Sequence, residues 1–168
     1  VELPFLFDIQ SLETEDLKNQ SLARLSEVDG FIDTEIGNLR MGLQLGYSSP
    51  RITVEKVPEE VRALLKENNP FLGMGKRAKN DAFDQAVEKI FVEEITPAIK
   101  RFASFIENEY LKQARTEIAL SYNPNGADCY PTLVRSFATI DPSADEIHKM
   151  GLTQIAKIRA EMLQILAE

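Results

Sequence analysis

Apolar side chains recur every three or four residues along three long stretches of the chain, which is the spacing of one face of an α-helix. The first stretch runs from Thr14 to Gly46, the second runs from Asn80 to about Ser121, and the third begins at Ser143. The apolar positions of the first stretch are Leu22, Leu25, Val28, Ile32, Ile36, Leu39 and Leu43. The pattern predicts three long helices, each with one face directed at a core.

The ends of two of these helices carry recognisable signals. Thr14 is a predicted N-cap, because its hydroxyl can accept a hydrogen bond from the first turn. Gly46 is a predicted C-terminal stop. Ser143 and Glu146 have the spacing of a capping box, in which each side chain bonds to the other residue's backbone N–H.

Pro97 interrupts the second stretch and removes one backbone donor. It either kinks one helix or starts a second helix that Thr96 caps. We favour the kink, because the apolar stripe continues in phase beyond the proline.

The segments between the long helices have weaker patterns. We predict a linker over Ser48–Lys56, in which Arg51–Val54 forms a brief extended piece. A short helix begins at Pro58 and ends at Asn68–Pro70. Phe71–Lys79 is a predicted mobile surface loop. Although it holds two glycines and three basic residues, it lacks the spacing of a phosphate-binding loop, and no strand precedes it.

The stretch from Ser121 to Pro142 is the least regular, and Asn123–Gly126 within it is a strong turn signal. The sequence therefore predicts an all-α fold: a bundle of three long and one or two short helices, with an irregular loop before the last helix. We expect one helical domain over residues 1–168.

Composition narrows the function classes. The 168 residues are 43% hydrophobic and 27% charged, with a net charge of −8. This acidic balance argues against nucleic-acid binding, which needs a basic surface. No apolar run approaches the roughly 18 residues of a membrane span. The chain starts at Val1 rather than Met and ends within a helical pattern, so we expect it to be a piece of a longer protein.

Few residues offer chemistry. The single histidine, His148, has no His-x-x-x-His or His-x-x-Glu partner, so a structural or solvated side chain is favoured over a metal ligand. The single cysteine, Cys129, lies in no reactive motif and is expected to be an inert, partly buried thiol. Arg115 and Arg135 flank the irregular loop. They could hold a substrate carboxylate, but pairing with nearby acids is favoured. Most acidic residues are expected on a solvated face, including Asp29, Asp33, Glu93, Glu94, Glu107 and Glu109.

Three groups of residues carry a resemblance to a known family. They are Phe31–Gly42 (FIDTEIGNLRMG), Asn123–Tyr130 (NPNGADCY) and Glu146–Leu152 (EIHKMGL). Shorter matching residues lie between these groups: Pro97-Ala98, Glu109–Leu111, Ala114-Arg115 and Thr139. Taken together in their order along the chain, these residues resemble the bacterial family labelled DUF885. The resemblance spans about Leu22 to Met162.

The resemblance implies a longer, mainly helical protein whose later part carries a His-Glu-x-x-His zinc motif, as in zinc metallopeptidases. Many members resemble exported lipoproteins, which suggests a periplasmic or membrane-anchored parent. No metal ligand or catalytic residue of the family maps onto this chain, so we expect no cofactor here and zinc in the downstream part. The chain would then be one wall of a substrate cleft, with Asn125, Tyr130, Arg135 and His148 as candidate cleft residues.

The leading hypothesis is therefore a non-catalytic helical portion of a zinc-dependent peptidase. Its expected partners are the rest of the parent chain and a peptide substrate. The alternative is a stand-alone helical interaction or sensor module. A complete enzyme within these residues is least favoured, because no nucleophile–base pair or metal cluster is visible. Because removal of the downstream half would expose apolar surface, we also expect the fragment to form a homo-oligomer.

Overall fold

The computed structural model describes residues 3–66 and 69–167, and side chains from Phe5 onward. The described chain is helical, with no β-strand among these residues, so the predicted all-α class is confirmed. It divides into two compact units, Val1–Thr116 (unit 1) and Glu117–Glu168 (unit 2), which are described separately below.

Unit 1 begins with a short helix, α1 (Leu3–Asp8), followed by the long helix α2 (Glu15–Gln44). The predicted caps of α2 are confirmed. The Thr14 hydroxyl accepts from the backbone N–H of Leu17 at 3.2 Å. Past the helix, Gly46 adopts φ 83°, a left-handed conformation that glycine reaches without strain.

Three short helices follow: α3 (Arg51–Val54), α4 (Val57–Ala63) and α5 (Pro70–Arg77). The extended piece predicted at Arg51–Val54 is wrong, because these residues form one helical turn. The predicted helix at Pro58 is confirmed as α4, which ends earlier than expected. Asn68, part of its predicted end, lies outside the described residues.

The predicted loop at Phe71–Lys79 is also wrong, because most of it is helix α5. The Asn69 side chain accepts from the backbone N–H of Leu72 at 3.0 Å, and Pro70 occupies the first turn. These two residues start a new helix rather than end the previous one, which is the favoured use of Asn as an N-cap and of Pro at the first position.

The second long stretch is one continuous helical run with changes in winding. It comprises α6 (Asp81–Ile90), a π-helical segment (Phe91–Ile95), α7 (Thr96–Phe105), a second π-helical segment (Ile106–Tyr110) and α8 (Leu111–Gln113). Thr96 has helical dihedrals and makes no cap, so the backbone continues through Pro97 without a new start. The run ends at Gln113, short of the predicted Ser121.

The core of unit 1 consists of two clusters of buried side chains. The larger cluster packs α2, α5 and α6 with the first π segment and includes Leu25, Phe71, Met74, Val87 and Ile95. The smaller packs the C-terminal half of α2 against the second π segment, through Ile36, Phe105, Ile106 and Tyr110. The apolar stripe of α2 is therefore buried or partly buried, as its spacing predicts.

Unit 2 contains a 3₁₀ turn (Leu120–Tyr122), α9 (Gly126–Ala138) and α10 (Ala144–Ala167). The predicted irregular loop before the last helix is largely wrong, since α9 covers thirteen of its residues. The predicted capping box is confirmed: Ser143 Oγ accepts from the Glu146 N–H at 3.3 Å, and Glu146 Oε2 accepts from the Ser143 N–H at 2.8 Å. No residue of α10 is buried.

Candidate functional site

A groove bounded by α1, α2, α4, α5 and α7 forms an apolar concave surface on unit 1, with a volume of about 490 Å³. Its lining is apolar except for the carboxylate of Glu35. The lining side chains are Leu6, Phe31, Ile32, Glu35, Leu39, Val61, Leu64, Phe71, Ile99 and Phe102. This volume lies within the range of small-ligand pockets.

Helix α2 forms one wall of this groove. Phe31, Glu35 and Leu39 lie four residues apart and therefore share one face of the helix. Phe31 is half-exposed at the rim, whereas Phe71 is fully buried against the rings of Phe7 and Phe91. The groove thus lies directly on the larger core cluster.

The other flank of α2 carries ion pairs to α7 and the second π segment. Arg101 bridges Asp29 and Asp33, and its Nη2 lies 3.0 Å from Asp33 Oδ1. Arg40 forms a two-point pair with Glu109, at 2.8 and 2.6 Å, and its guanidinium lies 5.1 Å from the Phe105 ring centroid. Hydrogen bonding from Arg40 lowers the pKa of Glu109 below its ordinary value.

A similar pair joins α4 to the second π segment. Both terminal nitrogens of Arg62 donate to Glu107 at 2.6 Å, which lowers the pKa of Glu107. The acidic residues of unit 1 were expected on a solvated face. Those of the Arg40, Arg62 and Arg101 pairs are partly exposed, and each also pairs with an arginine of a neighbouring helix.

Among the predicted cleft residues, Asn125 and Tyr130 lie in the N-terminal part of unit 2. Asn125 adopts φ 56° immediately before α9, a conformation that asparagine tolerates better than most residues. Tyr130 lies on α9 with 45% of its surface exposed. Both side chains are therefore accessible, and their role in a cleft remains a prediction.

The other two cleft residues are also on the surface of unit 2. Arg135 Nε lies 3.1 Å from Asp141 Oδ1, so the favoured pairing of Arg135 with a nearby acid is confirmed. His148 is exposed in the second turn of α10. Cys129 is exposed on α9, so the expectation of a partly buried thiol is wrong.

Arg115 has a different environment from Arg135. Its Nε donates to the Ser48 carbonyl at 2.8 Å, and its own carbonyl accepts from the Arg51 N–H at 2.7 Å. These bonds tie the end of the α8 segment to the linker after α2. Arg115 therefore helps to hold the end of unit 1 against that linker.

Within residues 3–66 and 69–167, no three or more His, Cys, Asp or Glu side chains are grouped so that they could hold a metal ion. None of the helices in that part of the chain is both long enough and apolar enough to cross a bilayer.

Sequence reasoning missed the apolar groove. Its α2 wall belongs to the apolar stripe, where Phe31 and Glu35 extend the face that Ile32 and Leu39 define. That local signal was readable, but the opposite walls come from α1, α4, α5 and α7, and their convergence is a tertiary property.

The model of a family described as "Bacterial protein of unknown function (DUF885)" matches residues 1–168, the whole chain. No curated protein and no solved structure matches it.

Proposed function

Because the chain belongs to the DUF885 family, we propose that it is the non-catalytic helical portion of a zinc-dependent peptidase and forms part of the substrate cleft. The observation that carries this proposal is the set of side chains that this chain offers as zinc ligands. A His-Glu-x-x-His site needs two histidines on one helical face, and this chain has one. The described residues do not fit a zinc site, so the ligands would come from the rest of the parent.

The exposed apolar side chains of unit 2 support a partner for this chain. Ile155, Ile158 and Met162 follow the helical spacing of a core face on α10, yet each is more than half exposed. Such a stripe is normally covered in a folded assembly. We propose that the remaining part of the parent chain packs on this apolar face of α10. Where that part is missing, a second copy of the fragment is expected to pack there instead.

The test compares the longer parent with this 168-residue chain on a quenched peptide library, with added zinc and with a chelator. The proposal expects chelator-sensitive cleavage by the parent and none by the fragment. Cleavage by the fragment alone would overturn it. Absence of cleavage by both would also count against it and would favour the interaction-module alternative.

The cleft assignment is tested in the parent with Tyr130→Ala and His148→Ala. Each is expected to raise KM for at least part of the library. Tyr47→Ala is the matched control, because Tyr47 is 42% exposed and lies in unit 1, outside the predicted cleft set. Unchanged turnover in both cleft variants, with helicity retained, would overturn the assignment.

A further inference from the structure

Glu35 differs from the other acidic side chains of its neighbourhood. Asp29 and Asp33 on the same helix pair with Arg101, and Glu109 pairs with Arg40. No cation forms an ion pair with Glu35 in the described part of the chain. Its nearest polar partner there is the Asn38 amide, which donates to Oε1 at 3.4 Å.

The surroundings of Glu35 are mostly apolar side chains. The residue is half-buried and is the one charged member of a groove lined otherwise by apolar side chains. A carboxylate that loses water to apolar neighbours is stabilised by a cation that bonds to it directly. The groove therefore presents an apolar surface and a single unneutralised negative charge.

We propose that this groove is a binding site for a small amphiphile, an apolar chain or ring that carries one ammonium group. The apolar part would lie against Phe31, Leu39 and Leu64, and the ammonium would donate to Glu35. The groove volume of about 490 Å³ suits a molecule of this class. The charge also predicts selectivity, because an anionic analogue of the same shape would meet like-charge repulsion.

The first experiment measures binding of three ligands that share one chain, n-decylammonium, 1-decanol and decanoate. Calorimetry is carried out below the micelle concentrations of the two ions and below the solubility limit of the alcohol. The proposal expects the order ammonium, alcohol, carboxylate from tightest to weakest. Equal binding of all three, or absence of ammonium binding, would overturn it. The measurement involves no hydrolysis, so its outcome is separate from that of the peptidase proposal.

Two matched pairs of variants locate the site. Glu35→Gln is expected to weaken decylammonium binding about tenfold, in line with loss of one charge-assisted hydrogen bond, and to leave decanol unchanged. Glu27→Gln is its control, because Glu27 is exposed on the same helix and does not line the groove. Phe31→Ala should weaken all three ligands, whereas Phe137→Ala in unit 2 should weaken none. Equal effects within either pair would overturn the assignment.

Discussion

The two units have similar helical patterns and opposite burial. In unit 1 the inward residues of α2, such as Leu25 and Val28, are almost fully buried by other helices. In unit 2 the comparable residues of α10, such as Ile155 and Ile158, stay more than half exposed. Amphipathic spacing thus predicts that a helix will form and which face needs cover, but it does not reveal what supplies the cover. Since most helical stability comes from packing, the units should respond differently to the same substitution.

The largest contrast is expected for phenylalanine. Phe71→Ala removes a ring whose centroid lies 5.7 Å from that of Phe7 and 6.3 Å from that of Phe91. It should lower the free energy of unfolding by about 3–5 kcal/mol, the usual cost of deleting a buried ring. Phe137→Ala, at a residue 87% exposed, should change it by less than about 0.5 kcal/mol. Urea unfolding followed by circular dichroism measures both, and similar losses would contradict the division into a packed and an open unit.

Glycine provides the second contrast. A Cβ at Gly75 would overlap the Asp84 carboxylate and lie 3.2 Å from the Asp84 Cα, because α5 and α6 approach closely there. Gly75→Ala should therefore destabilise unit 1 by about 1–3 kcal/mol. A Cβ at Gly151 on α10 would meet nothing within 4 Å. Gly151→Ala should favour the helix by about 1 kcal/mol, seen as increased helicity, and a loss of helicity would show that α10 is closely covered there.

The N-caps sharpen the comparison further. Thr14→Ala and Ser143→Ala each remove a hydroxyl that accepts from a first-turn N–H. Each should cost its helix about 1 kcal/mol. Because α2 is part of the core, the loss at Thr14 should appear as global destabilisation. The loss at Ser143 should appear as faster amide exchange confined to the first turn of α10, and faster exchange throughout unit 1 in that variant would contradict the expectation.

The smallest expected effect concerns pH. The pKa of Glu109 is lowered by hydrogen bonding from Arg40, and that of Glu146 by hydrogen bonding to the Ser143 backbone and hydroxyl. A carboxyl group with a lowered folded-state pKa contributes stability above its unfolded pKa of about 4.3, and this stability is lost as the pH falls through the folded value.

Arg40→Gln should therefore raise the pKa of Glu109 and reduce the acid sensitivity of unit 1, leaving Glu146 unchanged. Carboxyl NMR titration measures both groups in the same sample. Ser143→Ala should give the reverse result, with a raised pKa for Glu146 alone. A shift of both groups in either variant would mean that the two acids do not respond to separate local hydrogen bonds.

The sequence predicted elements wherever local chemistry decided them. Thr14, Gly46 and Ser143 mark helix ends through bonds or dihedrals confined to a few neighbours, and each is found as expected. The predicted secondary structure was wrong where the same residues are compatible with two different local structures. Asn69 and Pro70 can end a helix or begin one, and the glycines of α5 resemble those of a loop. Tertiary packing settles such cases, as the contact of Gly75 with Asp84 shows.

The same limit applies to function. Pro131 and the turn at Asn123–Gly126 conceal α9, so the sequence predicts an irregular loop around Tyr130 where the structure has a helix. The pairing of Arg135 with an acid was predictable, because Asp141 lies six residues away. The groove at Glu35 was not, because its walls come from five helices whose approach no single stretch of sequence encodes.

Because the helical run from Asp81 to Gln113 contains two π-helical segments, the packing of the core depends on the number of residues in this run. Each lies within one continuous helical run, and a one-residue deletion in either would be expected to return it to regular α-helix. A one-residue deletion in the regular helix α7, between the two segments, has no extra residue to absorb it, so every residue beyond that gap would be rotated by about 100° around the axis. Tyr110, whose hydroxyl now accepts from the Ser49 N–H at 2.9 Å, would turn away from that partner. Such a one-residue deletion would therefore disrupt more contacts than most substitutions, although every remaining amino acid would be unchanged.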